Sequence, residues 1–191
     1  MKATLFLTLI SLIFCQTGFS GGWVKRSLAE NNLYLDRSFT TAFMEYSEAK
    51  NSKNEDYIRL TIYSQVVAGV NYKVCFYDPN SEKPVVQEYI VYVPITSWKK
   101  GPIFRITKHS EYPAEKSLNA NDESFSLAEK QLTQGLENTN EKVKSVSSIL
   151  TAENGESIFY IITAETENGE HQYIIAQDKA DKKFDYANKI R

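Results

Sequence analysis

Cysteine and histidine are scarce in this chain, and their scarcity excludes several kinds of site. Only 2 of the 191 residues are cysteine, and Cys15 lies in an apolar N-terminal stretch, so Cys75 has no partner for an internal disulfide. Cys75 stands mid-strand among apolar residues, which favours a buried and unreactive thiol. The 2 histidines, His109 and His171, are far apart without a cluster of ligand residues, so no metal or other cofactor is expected.

Motifs for catalysis and nucleic-acid binding are also missing. No glycine-rich phosphate loop or nucleophile elbow occurs, and a Cys–His catalytic pair would need an exposed thiol. The protein is therefore not expected to be an enzyme, and no small-molecule substrate is expected. Residues 21–110 carry 12 Lys/Arg and 9 Asp/Glu, and residues 111–191 carry 9 and 15. Neither half has a basic patch for nucleic acid, and the asymmetry suggests two units with different partners.

The first 20 residues have the pattern of a signal peptide. Lys2 precedes about a dozen mostly apolar residues, too few to span a bilayer, and small residues occupy the −3 and −1 positions of a cut before Gly21. We therefore expect residues 1–20 to be removed. The mature chain is expected to be secreted or to enter the lumen of the secretory or lysosomal pathway, without membrane contact.

Residues 21–107 are predicted to form one unit, a helix followed by four strands. Apolar residues at Leu35, Phe39, Ala42, Phe43 and Tyr46 recur on one face of a helix. Alternating apolar residues and turn chemistry then predict strands at residues 57–64, 70–77, 85–93 and 103–107. Such a helix on one face of an antiparallel sheet encloses a single core.

The plan repeats 86 residues later, which predicts two copies of one small fold. Phe39 falls on Phe125, Ala42 on Ala128, and Gly69 on Gly155. The predicted class is α+β, one helix packed on a four- to five-stranded antiparallel sheet, repeated twice. The second copy spans residues 121–191, and residues 108–120, with Pro113 and several charges, are predicted to be the linker.

The hairpin between the first two strands carries an apolar tip where polar turn residues are usual. Its residues Gln65-Val66-Val67-Ala68-Gly69 match the Gln-x-Val-x-Gly loop of the cystatins, a family of inhibitors of papain-like cysteine proteases. Gly21-Gly22-Trp23 is similar to the N-terminal glycine segment of that family. Ser97-Trp98 stands where the family has Pro-Trp, and residues 42–47 are similar to the helix of plant cystatins.

The resemblance implies a wedge that occludes a protease cleft and needs no catalytic residue, metal or cofactor. The protease-binding residues would be the N-terminal glycines, the whole first loop and the second loop: Gly21, Gly22, Gln65, Val66, Val67, Ala68, Gly69, Ser97 and Trp98. Gly69 would allow a turn too tight for a Cβ, and Trp98 would be the large anchor. Ser97 departs from the family's Pro, so the second loop is expected to be less rigid.

The second copy has lost these features. Thr151-Ala152-Glu153-Asn154-Gly155 replaces the first loop, and no Trp follows, so we predict that this half does not inhibit papain-like proteases. Two alternatives stay open at this point. The protein could also inhibit legumain-type asparaginyl proteases, for which Asn54 is the candidate residue, or it could be a non-inhibitory binding module.

Overall fold

The computed structural model describes residues 22–50, 56–95, 101–137, 139, 141–185 and 187–190. Of these residues, 49% lie in strands and 21% in helices. The elements follow in the order β1 (Val24–Arg26), α1 (Leu33–Lys50), β2 (Ile58–Val67), β3 (Gly69–Tyr77), β4 (Val85–Pro94), β5 (Arg105–Pro113), β6 (Lys116–Ser117), α2 (Glu123–Leu136), β7 (Val143–Glu153), β8 (Ser157–Thr166), β9 (Gly169–Asp178) and β10 (Asn188–Lys189).

The strands form two five-stranded antiparallel sheets. Sheet 1 has the order β1-β2-β3-β4-β5, and sheet 2 has the order β10-β9-β8-β7-β6. Each sheet is a meander of neighbours in sequence, and in each the helix lies between the first strand and the second. The order of elements in residues 24–113 therefore returns in residues 116–189.

Each helix buries the apolar face that its spacing predicts. In α1, Leu35, Phe39, Ala42, Phe43 and Tyr46 are buried against residues of β2, β3 and β4. In α2, the buried positions are Phe125, Ala128, Leu132 and Leu136, packed on sheet 2. Both helical faces follow the 3.6-residue period, and most polar residues of the helices face solvent, although Ser38 of α1 is buried.

The predicted fold class is wrong, because the molecule is mostly sheet and a core between the two sheets ties its halves together. Only two helices occur in the described residues, and they cover a fifth of them. A third core cluster lies between the two helix-bearing clusters and joins residues of both sheets: Leu60, Cys75, Tyr77, Val86, Ala114, Ala152, Phe159, Ile161, Ile174 and Ala176. Two separate helix-on-sheet units would leave this apolar surface in water.

This shared core explains why several strands have no polar face. Val74 and Phe76 point into the core with α1, whereas Cys75 and Tyr77 belong to the core between the sheets. In β9, likewise, Tyr173 and Ile175 belong to the core with α2, and Ile174 and Ala176 belong to the core between the sheets. Strands buried on both faces have continuous apolar runs instead of alternation.

The predicted linker at residues 108–120 is largely strand. Strand β5 extends to Pro113, and β6 follows after Ala114 and Glu115. Ala114 is buried, and its N–H donates to Pro84 O at 2.7 Å. In β5, an edge strand, exposed residues outnumber half-buried ones, and three of the exposed residues are charged, a polar pattern that is also typical of a linker.

Candidate functional site

Three segments of the chain meet at one end of sheet 1. Val24 at the start of β1 pairs with Ser64 near the end of β2, so the preceding residues run towards the β2–β3 turn. Gly69 at the start of β3 pairs with Pro94 at the end of β4. The register therefore places the N-terminal segment, the β2–β3 turn and the chain after β4 side by side, as the wedge requires.

The β2–β3 tip, defined as Val66, Val67 and Ala68, is apolar and exposed, as the sequence predicts. Val66 is 75% exposed and Val67 42%. The hairpin is tighter than predicted, because Val67 pairs directly with Gly69 and only Ala68 lies between the strands. An exposed apolar tip on a strand-paired scaffold is a surface suited to burial against a partner.

Neighbouring residues hold this tip in place. A Cβ on Gly69 would lie 2.5 Å from Val93 O and 2.7 Å from Tyr92 Cε2, so only glycine fits without a shift of the backbone. The Tyr92 hydroxyl donates to Ala68 O at 2.8 Å. Asn71 Nδ2 donates to Gln65 Oε1 at 3.2 Å across the hairpin. These contacts fix the tip before any partner binds.

The N-terminal flank of the site begins at Gly22, which is exposed. A Cβ on Gly22 would meet no heavy atom within 4 Å, so the space around it is open to a partner. Trp23 is half-buried, and Lys73 Nζ of β3 lies 4.4 Å from the centroid of its ring. This contact attaches the N-terminal segment to the sheet.

Four predicted site residues, namely Gly21, Asn54, Ser97 and Trp98, lie outside the described residues. The second loop is bounded by Ile95 and Gly101, and Ile95 and Ile103 are both exposed apolar side chains. The register brings Ile95 beside the tip, because it follows Pro94, the partner of Gly69. The apolar surface of the tip therefore continues towards the second loop.

A small hollow of about 190 Å³ adjoins the tip on sheet 1. Its lining is almost wholly apolar or aromatic, formed by Tyr34, Val70, Tyr72 and Val93. Burial raises the pKa of the Tyr72 phenol above its ordinary value, so this hydroxyl stays protonated at neutral pH. The hollow adds uncharged contact surface beside the tip.

The corresponding tip in sheet 2 is not exposed in the same way. We call residues 154–156, between β7 and β8, the β7–β8 tip. Asn154 is 5% exposed, and its Nδ2 donates to Glu88 Oε2 in β4 at 2.8 Å. Its Oδ1 accepts the N–H groups of Glu156 and Ser157. This tip is therefore turned into the contact between the sheets.

Cys75 does not have the setting of a catalytic thiol. It is fully buried, and its Sγ lies 3.5 Å from Asn154 Nδ2 and 4.0 Å from Glu88 Oε2. Burial and the Glu88 carboxylate raise the pKa of the thiol well above its usual range, the opposite of what a nucleophile needs. The predicted burial of Cys75 is confirmed, and the prediction that the protein is not an enzyme stays a prediction.

Searches of the described residues for other sites gave two negative findings. No helix among them is both long and apolar enough to cross a bilayer. No three or more His, Cys, Asp or Glu side chains in the described ranges come together as a potential metal site.

Two residues that shape the site carry no signal in the sequence. Tyr92 reaches Ala68, 24 positions earlier. Lys73 reaches Trp23, which precedes β1, a strand that does not pair with β3. Once the Gly69–Pro94 pair is known, counting back along β4 places Tyr92 close to the tip. The sequence alone does not give this pairing register, because it is set by tertiary structure.

In comparisons with known proteins, no protein-family model matches this chain, and no curated protein matches it significantly.

Proposed function

We propose that this protein is a secreted, reversible inhibitor of papain-like cysteine proteases, and that the end of sheet 1 bearing the β2–β3 tip occludes the protease cleft. The observation that carries the proposal is the exposed apolar tip at Val66 and Val67, held by Gly69 and Tyr92. This tip lies within Gln65–Gly69, the segment whose sequence resembles the first loop of the cystatins.

The chemistry of the tip suits an apolar cleft. Two valines and an alanine supply contact area without a charge that would have to be desolvated. The wedge blocks access to the catalytic cysteine and takes no part in the reaction. Such an inhibitor needs no nucleophile, metal or cofactor of its own.

The contacts that hold the tip in one conformation favour inhibition of the protease over cleavage of the tip by it. A substrate must enter the cleft as an extended segment that can adjust to the catalytic geometry, whereas the chain at Ala68 is held by Tyr92 and by strand pairs on both sides. A tip that is ordered before binding also loses little conformational entropy in the complex. Both properties support tight and reversible binding.

Inhibition is assigned to sheet 1 alone. The β7–β8 tip has Glu153 before it and a buried Asn154 within it, and Glu153 is paired with Lys179. A protease could engage this hairpin only by displacing the contacts between the sheets. This burial supports the proposal that the second half does not inhibit papain-like proteases.

The test is titration of papain with the purified mature chain, beside a Val67→Asp variant and a Leu127→Asp variant. Leu127 on α2 is 43% exposed, which matches Val67 and makes L127D a control for the added charge. We expect 1:1 reversible inhibition by the wild type and by L127D. We expect V67D to bind at least about a hundredfold more weakly, because burying an unpaired carboxylate costs several kcal/mol.

Two results would contradict the proposal. Absence of inhibition by the wild-type chain would favour a non-inhibitory binding module. Equal inhibition by V67D and the wild type would show that the tip is not the binding surface. Circular dichroism of each variant establishes that it is folded before its inhibition constant is compared.

A further inference from the structure

Three side chains form a row across the first three strands of sheet 1, on the side that meets sheet 2. Lys25 of β1 is opposite Tyr63 of β2, and Tyr63 is opposite Lys73 of β3. Each of the three contacts a polar group on a strand of sheet 2 or on a segment that connects two of its strands. The row begins two residues after Trp23, so it lies directly beside the N-terminal flank of the candidate site.

The strongest of these contacts reaches Trp23 itself. Lys73 is 7% exposed, and its Nζ lies 2.7 Å from Glu156 Oε1 in the β7–β8 tip. The same ammonium lies 4.4 Å from the centroid of the Trp23 ring. Glu156 thus holds the cation that faces the ring, and a cation–π contact shielded from water is stronger than an exposed one.

Two further contacts join the same region to sheet 2. Lys25 Nζ lies 3.0 Å from Asp185 Oδ2, beyond β9. The Tyr63 hydroxyl donates to Asp178 Oδ2 at 2.8 Å and lies 2.9 Å from Ser157 Oγ. Strand β1 has only three residues and pairs on one side, so the ion pair of Lys25 adds a second attachment to a short ladder, while Tyr63 attaches the neighbouring β2.

We propose that sheet 2 fixes the N-terminal segment at the end of sheet 1 that bears the β2–β3 tip, with Lys73 as the positioning residue between Glu156 and Trp23. This inference rests on the proposed function of that end of sheet 1. The second half then contributes to inhibition without touching the protease, because it orders the flank that the protease contacts. An N-terminal segment ordered before binding loses less entropy in the complex.

The first arm of the test needs no protease. The chain has 2 tryptophans, so a Trp98→Phe background leaves Trp23 as the only indole. In that background we expect Glu156→Gln to increase acrylamide quenching of Trp23 fluorescence, because Lys73 loses its anionic partner and leaves the ring. Unchanged quenching would overturn the proposal.

The second arm measures protease binding as a double-mutant cycle. We expect E156Q to weaken papain binding about two- to fivefold, the size of one cation–π contact, mainly through faster dissociation. In a Trp23→Ala chain the same E156Q substitution should have no further effect, since Glu156 acts through the missing ring. Equal effects of E156Q with and without Trp23 would overturn the role of Lys73 as intermediary.

A control separates support from general destabilisation. Glu170→Gln removes the same charge from an exposed position of β9, and we expect it to leave both quenching and binding unchanged. If the wild-type chain does not bind papain, the proposed function fails, and the quenching arm alone still decides whether Glu156 orders Trp23. Greater quenching in E156Q with unchanged papain affinity would overturn the inference while leaving the proposed function intact.

Discussion

Asn154 donates a hydrogen bond of 2.8 Å to Glu88 across the contact between the sheets. Asn154 stands 86 residues after Ala68, so it holds the position in the second hairpin that Ala68 holds at the exposed tip of the first. The chain therefore places the corresponding turns of its two hairpins in opposite environments. The apolar copy faces solvent, and the polar copy is buried against the back of sheet 1.

Replacing Asn154 by alanine should destabilise the whole molecule. Glu88 is 3% exposed and would lose the amide that reaches its Oε2, and the N–H groups of Glu156 and Ser157 would lose their acceptor. We expect the free energy of unfolding in urea to fall by about 1–3 kcal/mol. Asn168→Ala, at the exposed β8–β9 turn, is the control and should change it little. Equal stability of the two variants would contradict this assignment.

The glycines at the two hairpins should respond differently to alanine. Gly69→Ala places a Cβ 2.5 Å from Val93 O, so the tip must shift and papain inhibition should weaken by about tenfold or more. Gly155→Ala meets nothing within 4 Å and should leave inhibition unchanged. Inhibition constants of the two variants provide the comparison. A G69A chain as potent as G155A would show that the tip tolerates the shift.

The Tyr92 hydroxyl should matter for inhibition more than for stability. Tyr92→Phe removes its hydrogen bond to Ala68 O at an exposed position and keeps the ring. We expect an increase of about fivefold in the inhibition constant, which corresponds to one hydrogen bond of about 1 kcal/mol. The melting temperature should stay within about two degrees of the wild-type value, which corresponds to a change of about 0.5 kcal/mol in the free energy of unfolding. Unchanged inhibition would mean that the tip is ordered without Tyr92.

Cys75 should be inert in the native protein. Its thiol is fully buried, and burial raises its pKa far above the usual range, so little thiolate forms at neutral or mildly alkaline pH. Iodoacetamide followed by mass measurement should show no labelling without denaturant and complete labelling in urea. Rapid labelling of the folded chain, with loss of inhibition, would revive the enzyme hypothesis.

Alkaline pH should destabilise the protein through buried tyrosines. Burial, with the negative charges of Glu45 and Glu111, raises the pKa of Tyr89 from 10.0 to about 12. The folded state holds this proton more tightly than the unfolded chain does. The contribution of Tyr89 to the free energy of unfolding should therefore be constant below pH 10, and it should be lost as the pH rises from 10 through 12.

The control for this prediction is Tyr89→Phe, which removes the titrating hydroxyl. Urea unfolding across the same pH range should show a shallower fall for Y89F. Some fall should remain, because burial and Asp78 also raise the pKa of Tyr46. An identical slope in both proteins would show that Tyr89 does not contribute.

Local patterns in the sequence predicted the elements well. The spacing of Phe39, Ala42 and Phe43 gives the buried face of α1, and alternation gives the strands around the tip. These features depend on residues within a few positions of each other. For the same reason the apolar exposure of Val66 and Val67 could be predicted from the turn alone.

The contact between the sheets could not be predicted in this way. It depends on which faces meet across 80 or more residues, as in Tyr63 with Asp178. A signal was present in the unbroken apolar runs at residues 74–77 and 173–176, which indicate burial on both faces. The repeat alone predicts two copies of a fold, and it carries no information about which faces of the copies meet.

The crossing from β5 to β6 has a consequence for the resistance of this chain to proteolysis. Ala114 donates its N–H to Pro84, β6 is bonded to β7, and Leu118 N–H bonds Ile149 O at 3.0 Å. A protease that cuts between the halves must first pull this backbone out of two sheets. The junction of the two halves is therefore protected from cleavage by the same hydrogen bonds that build the sheets.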